Sequence, residues 1–178
     1  MFNEQYRFKG THAIRVDKLT AVFEDATKAK VIERNIDVYV NAPLIGFLYG
    51  RTAELDNTKN PETNQVYNQN VMGDRVIYSQ NQLMYNFMLI MLLDKEYEPD
   101  EEKRINKAFR NPGLDPNDEE RFNSYVRGGV DVLYEKIIED ATEPEDYITN
   151  LFMFIEDFND RFNSEVDKDT LLELSTLK

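Results

Sequence analysis

The chain has 178 residues, which is room for one ordinary domain, and we expect residues 1–178 to form a single domain. Hydrophobic residues make up 41% of the chain, with 11 Phe and 10 Tyr, so it can bury enough apolar surface to fold and is not of the disordered class. It contains no cysteine, which excludes disulfide scaffolds, thiolate zinc sites and cysteine nucleophiles.

The net charge of −13 is distributed unevenly along the chain. Residues 1–55 carry eight basic and seven acidic side chains, whereas residues 135–178 carry four basic and thirteen acidic ones. This balance disfavours general binding to nucleic acid, because such binding depends on neutralising phosphates. It allows a neutral or weakly basic face in the first third of the chain and predicts a strongly anionic surface at its end.

Membrane insertion and secretion are not expected. The first ten residues lack the basic-then-apolar order of a secretory signal. The densest apolar run, Leu83 to Leu93, is interrupted by Asn86 and is too short to cross a bilayer. We therefore expect a soluble, cytoplasmic protein.

The first part of the chain predicts two helices and a loop. Apolar residues recur at three- and four-residue spacing over residues 11–27, where Thr11 can serve as the N-cap. A second apolar stretch covers residues 31–49, and Pro43 inside it predicts a kinked or broken helix. The β-branched sequence IDVYV within this stretch leaves a short strand as an alternative. Residues 52–70 are polar and predict an exposed loop.

The rest of the chain predicts only helices. A long helix is expected over residues 74–95, a short one over 99–109 and another over 115–140. The last clear helix follows Thr142, and residues 163–178 form an acidic segment that adds at most a frayed turn. The predicted fold class is all-α, a single-domain bundle of five to seven helices.

No residue pattern predicts a catalytic site. His12 is the only histidine and precedes the apolar face of the first helix, which favours a surface or capping role. The carboxylates of Glu135, Glu139 and Asp140 share one predicted helical face. Glu101 and Lys103 have the spacing that ends a metal-dependent nuclease signature, but such a site also needs a strand scaffold and an upstream aspartate. The segment that begins at Asp157 lacks the glycine of a calcium loop. We therefore expect no enzymatic activity, no catalytic or metal-binding residue and no cofactor.

Two glycine-containing segments are more informative than the polar residues. In GFLYGR, Gly46 lies inside the second predicted helix, where close helix packing is the simplest reason for a glycine. In YVRGGV, two adjacent glycines each cost about 1 kcal/mol relative to alanine in a helix, so a compensating role is expected. The arginines beside these segments are candidates for contacting an anion. The candidate interaction residues are Phe47, Tyr49, Gly50, Arg51, Tyr125, Arg127, Gly128 and Gly129.

These same segments carry a family resemblance. The sequences IDVYVNAPLIGFLYGR (Ile36–Arg51) and YVRGGVDVL (Tyr125–Leu133) resemble two segments of the dnd system-associated accessory proteins of bacterial DNA phosphorothioation and its linked restriction. Order and separation of the two segments agree. The resemblance implies a helical, non-enzymatic component of an anti-phage defence system, whose partners are larger defence-system proteins and which acts on or near DNA.

Three functional hypotheses remain open at this stage. The first is an accessory or adaptor subunit that works by protein–protein interaction. The second is an acidic mimic of nucleic acid, which would use the C-terminal third of the chain to occupy a basic groove on its target. The third is direct DNA binding through basic residues of the first third, which predicts an affinity that falls steeply with salt. The residues considered for that role are Arg7, Lys9, Arg15, Lys18, Lys28, Lys30, Arg34 and Arg51.

Overall fold

Seven α-helices and two small antiparallel sheets form most of residues 1–163, which is the part of the chain that the computed structural model describes. The helices are α1 (Gly10–Thr20), α2 (Asn35–Leu48), α3 (Gly73–Tyr78), α4 (Gln80–Leu93), α5 (Glu101–Ile105), α6 (Pro116–Leu133) and α7 (Pro144–Phe162). The strands are β1 (Tyr6–Lys9), β2 (Val22–Glu24), β3 (Ala29–Lys30) and β4 (Asn68–Val71). The mostly helical prediction is confirmed and the helix count lies within the predicted range, but the strands mean that the fold is not purely all-α. Of the predicted terminal segment 163–178, all but its first residue lies outside the described residues.

The strands are the elements that the sequence did not predict. β1 pairs with β4 with Tyr6 opposite Val71, so β4 takes the last residues of the predicted 52–70 loop. β2 and β3 pair with each other and replace the end of the first predicted helix, which stops at Thr20. Each strand has four residues or fewer, and such short runs give too few alternations for a period of two to be recognised.

The first helix begins differently from the prediction. Thr11 lies inside the first turn of α1 and is not its N-cap. Asp56, from the segment between α2 and β4, supplies the cap: its Oδ2 accepts the Thr11 amide at 2.5 Å and its Oδ1 accepts the Thr58 amide at 3.1 Å. These hydrogen bonds lower the pKa of Asp56 to about 2, with the Thr11 amide the largest cause. A long-range contact thus replaces the local cap and fixes the loop against α1.

α2 passes through Pro43 without a break, so the alternative of a short strand at IDVYV is wrong, and so is the alternative of a broken helix. Pro43 has no N–H to donate to the preceding turn. The side chain of Asn86 on α4 donates to the Val40 carbonyl at 2.7 Å, and Asn41 donates to the Asp37 carbonyl at 2.7 Å. The hydrogen bond that Pro43 removes would reach the Tyr39 carbonyl, so these side-chain bonds lie beside that gap and do not fill it. The packing of α2 against α4 and α6 accompanies the continuous helix.

Several predicted helices are divided in the structure or end in a wider, π-helical turn. The predicted helix 74–95 is split into α3 and α4 at Ser79, whose backbone turns out of helical geometry (φ −98°, ψ 8°). The predicted helices 99–109 and 115–140 each end in a π-helical turn, Asn106–Arg110 after α5 and Tyr134–Ile138 after α6. Such turns leave the apolar spacing nearly unchanged, which is why the sequence pattern did not separate them from ordinary helix.

The hydrophobic core is built around α2, α4 and α6. Phe2 lies edge-on to Phe122 with ring centroids 5.4 Å apart, and Phe122 contacts Phe87 at 5.8 Å. Phe8 of β1 and Tyr39 of α2 extend this aromatic cluster towards the β1–β4 sheet. α7 lies at the edge of the core and has no fully buried residue.

Candidate interaction surface

The two glycine segments identified in the sequence pack directly against each other. Gly46 of α2 lies against the carbonyl oxygen of Tyr125 on α6, and Gly129 of α6 lies against the carbonyl oxygen of Ala42 on α2. A Cβ atom at either glycine would overlap backbone atoms of the opposite helix, which cannot move aside like the end of a side chain. Close approach of two helix backbones therefore explains both glycines.

The next residues of the second segment hold the loop that follows α2. Gly128 faces the carbonyl oxygen of Arg51, again too closely for a Cβ atom. Arg127 is buried, and its Nε donates to the Ala53 carbonyl at 2.8 Å while its Nη2 donates to Glu120 at 2.5 Å. The guanidinium of Arg127 is thus occupied by contacts within the protein.

The remaining candidate residues from the sequence are divided between the core and the surface. Phe47 is half-buried and lies edge-on to the buried ring of Tyr125 at 5.4 Å. Gly50 is exposed with φ +61°, the left-handed conformation that ends α2, and exposed Arg51 pairs with Glu135 at 2.7 Å. Of the eight candidates, Tyr125, Arg127, Gly128 and Gly129 are buried, so a partner has no access to them in this conformation.

The eighth candidate, Tyr49, connects α2 to α7. Its hydroxyl donates to Asp157 at 3.0 Å, and its ring stacks near Phe154 and contacts Phe162 at 5.6 Å. Burial raises the pKa of the Tyr49 hydroxyl, and the hydrogen bond to Asp157 raises it further. Arg161 donates to Asp157 at 2.7 Å and thereby lowers the pKa of that carboxyl group. Tyr49 is thus an attachment point for the last described helix.

A polar cluster joins α4 to α6. Arg121 donates to the buried carboxylate of Asp94 at 2.7 Å, and the Tyr125 hydroxyl donates to the same oxygen at 2.9 Å. Burial would raise the pKa of Asp94, but the hydrogen bonds, that from Arg121 first, leave it below its usual value. Burial, with the hydrogen bond to Asp94, raises the pKa of Tyr125 to about 12. At neutral pH, Asp94 and Arg121 therefore form a charged pair and Tyr125 is neutral.

A second polar cluster lies beside the first π-helical turn. Lys107 and the Tyr97 hydroxyl donate to the buried carboxylate of Asp118, at 2.5 Å and 2.8 Å. Burial would lower the pKa of Lys107, but the hydrogen bond to Asp118 and the negative charges of Asp118, Asp115 and Glu98 together outweigh it and raise the pKa. A lysine that acts as a base or nucleophile near neutral pH needs the opposite shift. The cluster is therefore suited to holding α6 against the π-helical turn.

His12 occupies a different place from the one expected. It is buried, with 4% of its surface exposed, because positions 12, 16 and 19 share the core face of α1. Its Nε2 lies 3.2 Å from the Asp131 carboxylate on α6, which also pairs with Arg15. Burial would raise the pKa of Asp131, but His12 and Arg15 outweigh it and lower the pKa. The expected surface or capping role is wrong, since His12 is buried in a polar cluster with Asp131 and Arg15 that joins α1 to α6.

The charged groups behind the nucleic-acid hypotheses are partly engaged within the protein. Among the basic residues considered for DNA contact, Arg15, Lys28, Arg34 and Arg51 form ion pairs. In the acidic third, Asp146 accepts the amide of Glu143 at the start of α7. Within residues 1–163, no group of three histidine or carboxylate side chains is arranged to hold a metal ion.

The outer side of α7 exposes large apolar residues. Ile148, Phe152 and Ile155 follow one another at four- and three-residue spacing and so form one stripe along the helix, called here the α7 stripe. Their exposed fractions are 61%, 61% and 55%. The inward side of the same helix holds Tyr147, Leu151, Phe154, Phe158 and Phe162, which are all half-buried. α7 is therefore apolar on two sides, although only one of them packs on the core.

An open groove runs between α2 and α7, next to the α7 stripe. Its volume is about 420 Å³, and α2 contributes Leu44 and Leu48 to its wall. α7 contributes Phe158 and Ile155, so the groove and the stripe share Ile155. This α2–α7 groove and the α7 stripe together form the candidate interaction surface.

Comparison of the chain with known protein families, with curated proteins and with solved structures finds no match. The architecture thus defines a mostly helical protein with a small sheet contribution, and the apolar surface of α7 is its main candidate for recognition. Over the described part of the chain, no helix combines the length and the apolar character needed to cross a membrane.

Proposed function

We propose that the protein is a non-enzymatic accessory subunit that acts by binding other proteins. The observation that carries this proposal is the α7 stripe, where three large apolar side chains on one face of a helix are each more than half exposed. Contiguous apolar surface of this kind on a folded protein is typical of a contact site. The adjoining α2–α7 groove enlarges the surface that a partner would cover.

The proposed biological setting is anti-phage defence linked to DNA phosphorothioation. It is supported by the resemblance of Ile36–Arg51 and Tyr125–Leu133 to segments of the dnd system-associated accessory proteins. The two segments also pack on each other, so they behave as one structural unit. In this setting the partners are larger restriction or helicase-like subunits.

Affinity capture from the native host tests this function. The full chain serves as bait beside two variants, Phe152→Glu on the α7 stripe and Tyr78→Glu, which is exposed elsewhere (84%) and receives the same charge. We expect mass spectrometry to find the same defence subunits with the unchanged bait and with Tyr78→Glu, and to find them depleted at least tenfold with Phe152→Glu. Recovery that is equal for all three baits, or the absence of any specific partner, would refute the proposal.

A further inference from the structure

The candidate interaction surface has the elongated form of a site for a helix. The α2–α7 groove is walled on both sides by helices, with Leu44 and Leu48 on one side and Phe158 on the other. The α7 stripe prolongs it from Ile155 to Ile148, which is about 10 Å along the helix axis at 1.5 Å per residue. Grooves between two helices bind amphipathic helices through apolar residues at positions i, i+3, i+4 and i+7.

One edge of the α7 stripe is acidic, whereas the lining of the α2–α7 groove, over the described residues, carries no charged side chain. α7 carries five carboxylates and one arginine. Glu145 and Glu156 are exposed, and their positions on the helix place them along one edge of the α7 stripe. Asp157, by contrast, lies on the far side of the helix, where it pairs with Arg161. A partner that covers the stripe thus meets negative charge beside the apolar residues.

Charge decides between the occupants of this surface. A second copy of the chain would bring the acidic edges of two α7 helices together, and juxtaposed like charges oppose binding. A helix with lysine or arginine beside its apolar face would instead gain from the same charges. The net charge of −13 would also speed the approach of a basic segment.

We propose that the α2–α7 groove and the α7 stripe bind an amphipathic helix of a partner protein whose apolar face is bordered by lysine and arginine. This inference rests on the proposed function and specifies the chemistry of the partner at that site. The apolar residues of the partner helix occupy the groove beside Leu44 and Ile155. Its basic residues lie opposite Glu145 and Glu156.

A pair of synthetic peptides tests this inference with the full chain. Both peptides have 18 residues with leucine along one helical face; the other positions are lysine in the first peptide and glutamate in the second. We expect the lysine peptide to bind in fluorescence anisotropy, with an affinity that falls between 50 and 300 mM salt. The glutamate peptide should bind at least tenfold more weakly. Equal binding of the two peptides would overturn the proposal.

Variants separate groove binding from general attraction between opposite charges. Ile155→Asp adds a negative charge, which by general electrostatic attraction alone would strengthen binding of the lysine peptide. We expect it instead to weaken binding at least tenfold, because it removes an apolar contact in the groove. Leu114→Asp also replaces a large aliphatic residue by aspartate. Leu114 is 77% exposed and lies outside the candidate interaction surface, so the affinity of this variant for the lysine peptide should stay within twofold of that of the unchanged chain. Equal effects of the two variants would show non-specific attraction and overturn the proposal. Circular dichroism melting of each variant verifies that it is folded.

Two further outcomes would assign the surface to another occupant and likewise overturn the proposal. Self-association in sedimentation that Ile155→Asp abolishes would identify a second copy of the chain. If the lysine peptide binds only after the substitutions Leu171→Ser and Leu174→Ser, the occupant of the surface is the chain's own C-terminal segment. If host capture succeeds through Phe152 while the lysine peptide fails to bind, the interaction function stands and only this inference is lost.

Discussion

At the scale of single residues, the glycines at the α2–α6 crossing determine how closely the two central helices approach. Gly46 and Gly129 each face a backbone carbonyl group of the opposite helix. A helical glycine costs about 1 kcal/mol relative to alanine through the conformational freedom it loses. At these positions that cost is offset by packing, because the side chains around the crossing reach each other only when the backbones touch.

Gly129→Ala tests this account. The new methyl group would overlap the Ala42 carbonyl, and overpacking of this kind costs about 2–3 kcal/mol. For a chain of this length that corresponds to a fall in Tm of roughly 5–10 °C, measured by thermal melting. Gly73→Ala is the control, because its nearest contact would be an ordinary 3.4 Å. Similar melting of both variants would contradict the close approach of α2 and α6.

The cap of α1 by Asp56 makes a second prediction at this scale. The pKa of Asp56 is lowered from 3.8 to about 2, so its stabilising contribution is present above pH 4 and is lost as the pH falls towards 2. We expect Asp56→Ala to reduce the free energy of unfolding by about 1 kcal/mol at pH 7, as for loss of a helix cap.

Urea unfolding at several pH values measures this effect. The difference between the unchanged chain and Asp56→Ala should shrink as the pH is lowered from 4 to 2. Asp25→Ala removes an exposed ion pair with Lys28 and should change the free energy of unfolding by less than about 0.5 kcal/mol. A difference for Asp56→Ala that is independent of pH would contradict the capping role of the charged carboxylate.

At the scale of elements, α7 is held to the rest of the protein by a few side chains. Tyr49 contacts it through Asp157 and the phenylalanines of its inward side. Tyr147 stacks on Phe23 at 5.0 Å, and Asn150 donates to the Ile137 carbonyl. Because α7 has no fully buried residue, we expect it to open at a lower free energy than α2 or α6.

Tyr49→Ala should loosen α7 selectively. We expect hydrogen exchange of the α7 amides to become at least tenfold faster, because the variant loses the bond to Asp157 and three aromatic contacts. Exchange of the amides in α6 should stay unchanged. Tyr78→Ala, at a residue with 84% exposure, is the matched control. Equal protection of α7 in both variants would show that Tyr49 is dispensable for its attachment.

The elements also show what the sequence could and could not predict. The sequence predicts the longer helices correctly because many apolar residues in each repeat the same three- and four-residue spacing. This holds for α2 despite Pro43. The strands β1 and β4 were missed because each is stabilised by the other across about 60 residues, and neither has a strong local pattern. The cap by Asp56 was missed for the same reason, since its partner Thr11 is 45 residues away.

At the scale of the whole molecule, charge separates the remaining functional hypotheses. Half of the eight basic residues considered for DNA contact are already paired with carboxylates, and the net charge opposes the approach of a duplex. We expect no binding of the purified chain to duplex DNA at 150 mM salt in a fluorescence assay. Tight binding that weakens steeply with salt would favour the DNA-binding hypothesis, and capture of one inhibited basic nuclease would favour the acidic mimic.

The candidate site was only partly accessible to sequence reasoning. The periodicity of α7 predicts a buried face made of Tyr147, Leu151, Phe154, Ile155 and Phe158. Four of these side chains are half-buried as predicted, but Ile155 is 55% exposed, so the prediction is wrong there. Phe152 and Ile148 could have predicted the exposed stripe from the sequence. They add a second apolar face to a helix that needs only one face to pack on the core. The sequence pattern indicated the glycine segments instead, because glycine is unfavourable inside a helix unless a contact offsets its cost. Packing supplies that explanation for Gly128 and Gly129.

The attachment of α7 by one side has a consequence for how such a chain can evolve. The outward side of the helix takes no part in the core, so substitutions at Phe152 can alter recognition without a penalty in folding. At Gly129 a change of any kind adds atoms between two backbones. We expect natural variants of this protein to diverge along α7 as their binding targets diverge, while the glycines of the α2–α6 crossing stay invariant.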